Sequence, residues 1–300
     1  MDIRQVLQQM EIPVSADTVI SQFRNAEDGS AYEVWKVQCK EKTYVLKKAK
    51  GQEISIYTSF FSKEISGAPR FLGSTTADGE DYFLMDYVPG EDLRRCNRKK
   101  LTAALDALIH LQGLYWEKEE LPGVGISFED SLVSRKNRKN YLNDEELEKA
   151  YNSFLEQYVS LPRTLCHDDL LPFNILVTEE KATIIDWEVG GILPYPTSLA
   201  RLIAHAEGRK DAFFYMTEED KSFAIDYYYE NLPKKKGISY TDYRRALDGF
   251  LLYEYCEWIM LGNKYPDGNQ ARHRAYLEKA KTHIKTLYNA KKRVYNEEKF

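Results

Sequence analysis

The chain has 300 residues, 43% of them hydrophobic and 13% aromatic, enough for a real core in one large domain or two lobes. A net charge of −5 and a pI near 5.7 exclude a general nucleic-acid binder. Cys39, Cys96, Cys166 and Cys256 form no CxxC pair, which argues against a zinc ribbon or dithiol site. The opening MDIRQVLQQM is charged where a secretory leader needs an apolar core, and no apolar run reaches the roughly 18–20 residues that span a bilayer. The chain therefore reads as cytoplasmic, without membrane or nucleic-acid partners, and with reduced thiols.

In chain order, the first part is strand-like. YEVWKVQC (32–39), TYVLKK (43–48) and DYFLMDYV (81–88) predict three strands, the first two joined by the hairpin-sized KEK (40–42). Between the second and third, Ile54, Tyr57, Phe60, Phe61 and Ile65 recur at helical spacing. PGED (89–92) punctuates the chain, and the pattern then turns helical over 99–116, 144–161, 242–261 and 272–295, with Asn143-Asp144 as a cap signal. No repeat or low-complexity linker interrupts it. The expectation is an α+β chain of two lobes. Residues 1–88 make a small antiparallel β-sheet with one helix, and 89–300 a larger, mainly α-helical lobe.

RTLCHDDLLPFNILVTEEKATIIDWEVGG (163–191) concentrates the chemistry. NILV and TIID read as the two strands of a hairpin, which brings its ends together. Asn174 and Asp186 could then offer hard oxygen ligands to one cation, and Mg2+ takes such ligands together with water and phosphates. Asp169 stands clear of them and could accept a proton from an attacking hydroxyl. Each residue alone has a bland reading, since Asp and Asn are common in turns. His167 reads as a packed histidine supporting the loop, and His110 as a helix residue near the core.

HDDLLPFNIL followed by IIDWE resembles the catalytic and metal-binding segments of the aminoglycoside phosphotransferase and choline kinase family, small-molecule kinases of protein-kinase-like fold. The resemblance implies Asp169 as catalytic base, and Asn174 and Asp186 as Mg2+ ligands. YVLKK resembles the strand bearing the phosphate-binding lysine, here Lys47. QEISIYTSF resembles the Glu-x3-Tyr helix, here with Glu53 orienting Lys47 and Glu64 as the fallback. YFLMDYVPGEDL resembles the hinge, whose Met85, Asp86, Tyr87 and Val88 would meet the adenine, and NAEDGSAY (25–32), with Gly29 and Ser30, would cover the phosphates. These landmarks lie between residues 25 and 200.

Three departures stand out. The 25–32 loop has one glycine, Asp168 occupies a place more often Gly or Asn, and Ser198 in TSLARL stands where the family usually has a structural Asp. The middle residue of the HDD triplet is not Arg, which speaks against phosphorylated activation-loop control and for a small acceptor. The resemblance implies an O-phosphotransferase moving the γ-phosphate of ATP (or GTP) to a small hydroxylated acceptor, with the chain a monomer or dimer. The competing class is a catalytically silent kinase-like module that binds nucleotide or a partner. For the acceptor, Asp168, Glu188, Glu254, Glu257 and Trp258 are candidates, because carboxylates beside an aromatic face suit an ammonium such as choline or an aminoglycoside. Equally, these aromatics could pack the core and the glutamates face water.

Overall fold

The structure is a computed structural model and describes residues 2–25, 28–40, 42–265, 268 and 270–297. After helix α1 (Ile3–Gln9) come strands β1 (Val19–Arg24), β2 (Ala31–Cys39) and β3 (Lys42–Lys48), then helix α2 (Glu53–Phe60), then β4 (Phe71–Ala77) and β5 (Glu80–Asp86). The five strands form one antiparallel sheet in the order β1-β2-β3-β5-β4. Strand alternation sorts its side chains onto two faces. Val37, Leu46, Tyr82 and Leu84 pack with Val6 and Leu7 of α1. Val45, Phe83 and Met85 pack with Ile56, Tyr57 and Phe60 of α2 and join the main core. The same alternation separates the adjacent lysines. Lys48 pairs with the exposed Glu33 and Glu80, whereas Lys47 is buried beneath α2.

The predicted strands are β2, β3 and β5, the last ending at Asp86 rather than Val88. The predicted helix stops at Phe60, so Ile65 lies beyond it, in the turn that leads to Gly67. Gly67 has φ 97°, and a Cβ there would lie 3.2 Å from the Ala107 carbonyl oxygen. Its own carbonyl accepts from the Ile184 N–H at 2.8 Å, which ties this turn to the segment 163–191.

The rest comprises β6 (Glu91–Asp92), α3 (Arg98–Leu114), α4 (Phe128–Arg138), α5 (Glu145–Ser160), β7 (Arg163–His167), β8 (Ile175–Val177), β9 (Ala182–Ile184), β10 (Gly190–Pro194), α6 (Pro196–Ala204), α7 (Glu218–Asn231), α8 (Tyr240–Lys264) and α9 (Gln270–Glu297). The four predicted helices are α3, α5, α8 and α9. Asp144 caps α5, accepting from the Leu147 N–H at 3.1 Å, a contact of a kind that contributes about 1 kcal/mol. Helix α8 is buried through Phe250, Leu251, Leu252 and Tyr253 in succession, hence on more than one face. Strands β8 and β9 form the expected hairpin, with Ile175 opposite Ile184. Strand β7 pairs with β10, His167 opposite Gly190. Where β10 passes Ile126, a Cβ on Gly191 would lie 2.3 Å from the Ile126 carbonyl oxygen, so that approach requires glycine. Among the described residues no helix is long and apolar enough to cross a membrane.

Candidate active site

Two clusters meet along the loop between His167 and Asn174. In the first, Lys47 projects from β3 beneath α2. Its Nζ lies 2.6 Å from Glu53 Oε1 and also contacts Asp186 Oδ1, 139 residues away in sequence. Burial alone would lower the Lys47 pKa, but Glu53 and Asp186 outweigh it and raise it, so the ammonium stays charged. Glu53 opens α2 and is fully buried. Burial pushes its carboxyl up to about 7 against the pull of Lys47, and the charges of Asp186 and Glu188 add to the rise. Glu64 is exposed, and the fallback partner is not needed.

The hairpin ends put Asn174 and Asp186 side by side, with the Ile185 N–H donating to the Asn174 carbonyl at 2.9 Å. Asn174 is 4% exposed, and its Nδ2 donates to the Asp169 carbonyl at 2.9 Å, so Oδ1 is the atom left for a cation. Asp186 has φ 64°, a left-handed conformation that costs a non-glycine residue on the order of 1 kcal/mol. Trp187 pins that bend. It is fully buried against Phe61 and His167, and its indole N–H donates to the Ile184 carbonyl at 2.9 Å. Ligand atoms of Glu53, Asp186 and Glu188 lie within 4.8 Å of one another. Glu53 Oε2 and Glu188 Oε2 are buried without a hydrogen-bond partner among the described residues, the nearest cation to the latter being Lys50 at 3.7 Å. Unpaired buried oxygens of this kind suit a divalent cation.

The second cluster surrounds Asp168 and Asp169. His167 is fully buried, and its Nε2–H donates to the Ile185 carbonyl at 2.9 Å, leaving Nδ1 to accept from the Asp169 N–H at 3.2 Å. Burial lowers its pKa, so the ring is a neutral support for the loop. Ser198 takes up the role that the sequence left in doubt, its hydroxyl accepting from the His167 N–H at 2.9 Å. Asp169 Oδ1 accepts from Arg201 Nη2 at 2.6 Å and Nε at 3.0 Å, while the carboxylate stays 37% exposed. Arg201 Nη1 also donates to Glu254 at 2.8 Å, and Glu254 in turn meets His205 at 3.1 Å. Asp168 pairs with the buried Arg135 at 2.6 Å. Glu257 contacts Arg138 at 2.5 Å. Arg272 lies 4.4 Å over the Trp258 ring. Of the acceptor candidates, then, Asp168, Glu254, Glu257 and Trp258 line the second cluster, each with an internal cation, and Glu188 lies in the first.

The hinge and the β1–β2 turn lie at the sheet. Met85 is buried in β5. The Asp86 N–H donates to the Arg70 carbonyl at 3.0 Å and its carboxylate pairs with Arg70, while the Tyr87 N–H donates to the Thr43 carbonyl at 3.3 Å. The Val88 N–H has no partner among the described residues. Of the 25–32 loop, residues 26 and 27 lie outside the described residues. Gly29 has φ 71°, its N–H donates to the Asn25 carbonyl, and the Ser30 N–H donates to the Asp28 carboxylate at 2.9 Å.

A family model described as "Phosphotransferase enzyme family" matches residues 20–229, more than half of the chain and all of the landmarks above. The chain belongs to the phosphotransferase enzyme family. Solved structures agree on the fold. A choline kinase of Cryptosporidium parvum is 13% identical, with a TM-score of 0.57, covering 98% of this chain and 96% of that one. An aminoglycoside phosphotransferase of Streptomyces rimosus is 16% identical, with a TM-score of 0.55, covering 84% and 96%. An amicoumacin kinase, solved in complex with AMP-PNP, Ca2+ and Ami, is 12% identical, with a TM-score of 0.58, covering 95% and 94%. At these identities the likeness establishes the α+β kinase-like fold alone. No curated protein matches the chain by sequence.

The reading of the sequence missed Arg201, Arg135, Arg138 and His205. Arg201 sits three residues after Ser198 in a segment already singled out, and that proximity was the available signal. Arg135 and Arg138 lie one turn apart on α4, whose polar sequence FEDSLVSRKNR has no apolar stripe to announce a helix.

Proposed function

We propose that this chain is an O-phosphotransferase that moves the γ-phosphate of ATP (or GTP) to a hydroxyl of a small acceptor. The observation that carries this reading is the convergence on one corner of the Lys47 amine, the Asp186 carboxylate and the neighbouring Asn174 amide, with Asp169 on the same loop. Phosphoryl transfer needs positioning and charge neutralisation more than covalent chemistry. Residues 1–88 hold the nucleotide. Val88 offers its N–H to the base, the β1–β2 turn with Gly29 and Ser30 lies over the phosphates, and Lys47 exchanges Asp186 for phosphate oxygens while Glu53 keeps hold of its amine. Residues 89–300 hold the acceptor and the base.

Asn174 and Asp186 would hold Mg2+, which supplies positive charge to the phosphate oxygens; the unpaired Glu53 and Glu188 oxygens beside them support a cation there. Asp169 accepts the acceptor's proton on Oδ2, since Oδ1 is engaged by Arg201. The amicoumacin kinase bound to AMP-PNP and Ca2+ supports nucleotide and divalent-cation use. Four free, buried cysteines suit a reducing, cytoplasmic compartment.

The test is calorimetric titration with nucleotide, with and without Mg2+, followed by turnover on a panel of sugars, amino alcohols and aminoglycosides. Mg2+-dependent nucleotide binding with acceptor-dependent release of ADP or GDP is the expected result. Binding without turnover on any acceptor would favour a silent nucleotide-binding module instead.

A further inference from the structure

The charges beside Asp169 close into a ring. Asp169 pairs with Arg201, Arg201 with Glu254, and one turn along α8 Glu257 pairs with Arg138. Arg138 Nη1 also donates to the Tyr253 hydroxyl at 2.9 Å, and the Tyr253 ring carries the Arg135 guanidinium at 4.6 Å. Arg135 holds Asp168, next to Asp169, and the circuit is complete. Every carboxylate in it touches a guanidinium, with Arg201 shared between Asp169 and Glu254. The aromatic platform is occupied too, with Arg272 over Trp258 at 4.4 Å and Tyr276 stacked on it at 5.9 Å.

An ammonium recognised by acidic groups and an aromatic face therefore finds all of these seats filled. To bind, it would have to break an internal ion pair and leave a partly buried guanidinium without its partner. A neutral hydroxyl faces no such exchange. It can donate to a carboxylate oxygen and accept from a guanidinium N–H while both keep their ionic partners. The ring offers such alternating groups at its open rim, where Arg138 is 44% exposed, Asp169 37%, Arg201 20% and Glu257 19%. Nε and Nη2 of Arg138 have no hydrogen-bond partner among the described residues.

We propose that the acceptor is a neutral polyhydroxylated molecule, a sugar or polyol, and not an amine, because guanidiniums of the chain itself already occupy every cation seat beside Asp169. This inference rests on the phosphotransferase reading above and narrows it.

The experiment compares initial rates under saturating Mg2+ and ATP for D-ribose, myo-inositol and sucrose against choline, ethanolamine and kanamycin. The best neutral compound is expected to exceed the best amine in kcat/KM by about tenfold or more, the factor that corresponds to disrupting one modest ion pair. An amine equal to or better than the best neutral compound overturns the proposal. The same six compounds are titrated into the complex with Mg2+ and AMP-PNP. Binding by neutral compounds alone supports the proposal, while binding by amines alone or by neither class overturns it. Arg138→Gln supplies the converse test, since it frees Glu257. Choline should then bind about tenfold more tightly than to the unaltered chain, and unchanged affinity would show that Arg138 does not fill that seat. Failure to bind Mg2+ and nucleotide at all is read separately and would bring down the phosphotransferase reading itself, and this proposal with it.

Discussion

The two sides of the loop between His167 and Asn174 differ in how their carboxylates are satisfied. On the Lys47 side the Lys47 amine contacts Glu53 and Asp186, Glu188 has Lys50 at 3.7 Å, and both buried carboxylate oxygens without a hydrogen-bond partner among the described residues lie there. On the Asp169 side each of four carboxylates touches a guanidinium, with Asp169 and Glu254 sharing Arg201. The difference teaches where incoming charge belongs. On the function proposed above, the unpaired oxygens are the place for a metal and Lys47 is the amine that changes partners. On the matched side, where every carboxylate already touches a guanidinium, a ligand would be oriented without its charge being attracted.

The sharpest break between the two sides is the proposed base. Asp169→Asn keeps the shape of the loop and would remove the proposed proton acceptor. Turnover should fall by about 10²–10⁴-fold while the affinity for Mg2+ and nucleotide stays within about threefold. Steady-state rates together with calorimetry check this, and a fully active Asp169→Asn protein would sink the assignment.

Next comes the amine. Lys47→Met should reduce turnover by about 10²–10³-fold, the scale of losing one preorganised electrostatic contact. It also leaves Glu53 buried without its cation. A buried carboxyl whose folded pKa is raised binds a proton more readily folded than unfolded, so stability is greatest below the unfolded value near 4.5 and falls as pH rises toward the folded value. With Lys47 gone, that folded value moves still higher. The stability deficit of Lys47→Met relative to the unaltered chain should therefore widen between pH 5 and pH 8, as measured by denaturant unfolding. A deficit independent of pH would mean that Glu53 is not the group left exposed to the change.

On the matched side, Arg201→Met removes the clamp on Asp169 Oδ1 without touching the nucleotide corner. The expected effect is smaller, about ten- to a hundredfold in kcat with the nucleotide KM unchanged, because a loosened base still reaches the acceptor but less often in line. A change confined to nucleotide KM would assign Arg201 to the other side of the comparison.

The first side was far more legible in sequence than the second, for a physical reason. Lys47, Glu53, Asn174 and Asp186 sit at strand ends and a helix start, where period-two alternation and turn length fix which way a side chain points. Alternation was enough to separate Lys47 from Lys48 once strand pairing was known. The ring depends on how α4, α6 and α8 pack against one another, and a helix period says which face is apolar without saying which other helix it meets. Glu254 and Glu257 were visible as one acidic face, but their arginine partners lie 53 and 119 residues away. Strands β1 and β4 were illegible for a local reason. VISQFR is mostly exposed, and FLGSTTA carries a glycine and three small polar residues, so neither shows a clean apolar period.

The smallest predicted effect tests how firmly α9 supports the matched side. Lys279 of α9 donates to the Ala204 carbonyl at 2.5 Å, at the end of α6, and lies 4.5 Å over the Tyr255 ring of α8. The neighbouring Tyr276 contacts His205 at 2.7 Å, so this corner backs the Arg201–Glu254 pair. Burial, with the charge of Lys221 adding, lowers the Lys279 pKa to about 8, well below the ordinary lysine value. Between about pH 8 and 10.5 the unfolded chain then holds a proton that the folded chain has released. Stability from this group accordingly rises with pH across that window and is lower beneath it, the reverse of the Glu53 case. Lys279→Met abolishes the slope and leaves the other titrating groups in place. The unaltered chain should gain about 1–2 kcal/mol relative to Lys279→Met between pH 7.5 and pH 9.5 in denaturant unfolding. Parallel stability curves would show Lys279 to be solvated in the folded chain, and the packing of α9 on α6 and α8 to be looser than the hydrogen bond to Ala204 implies.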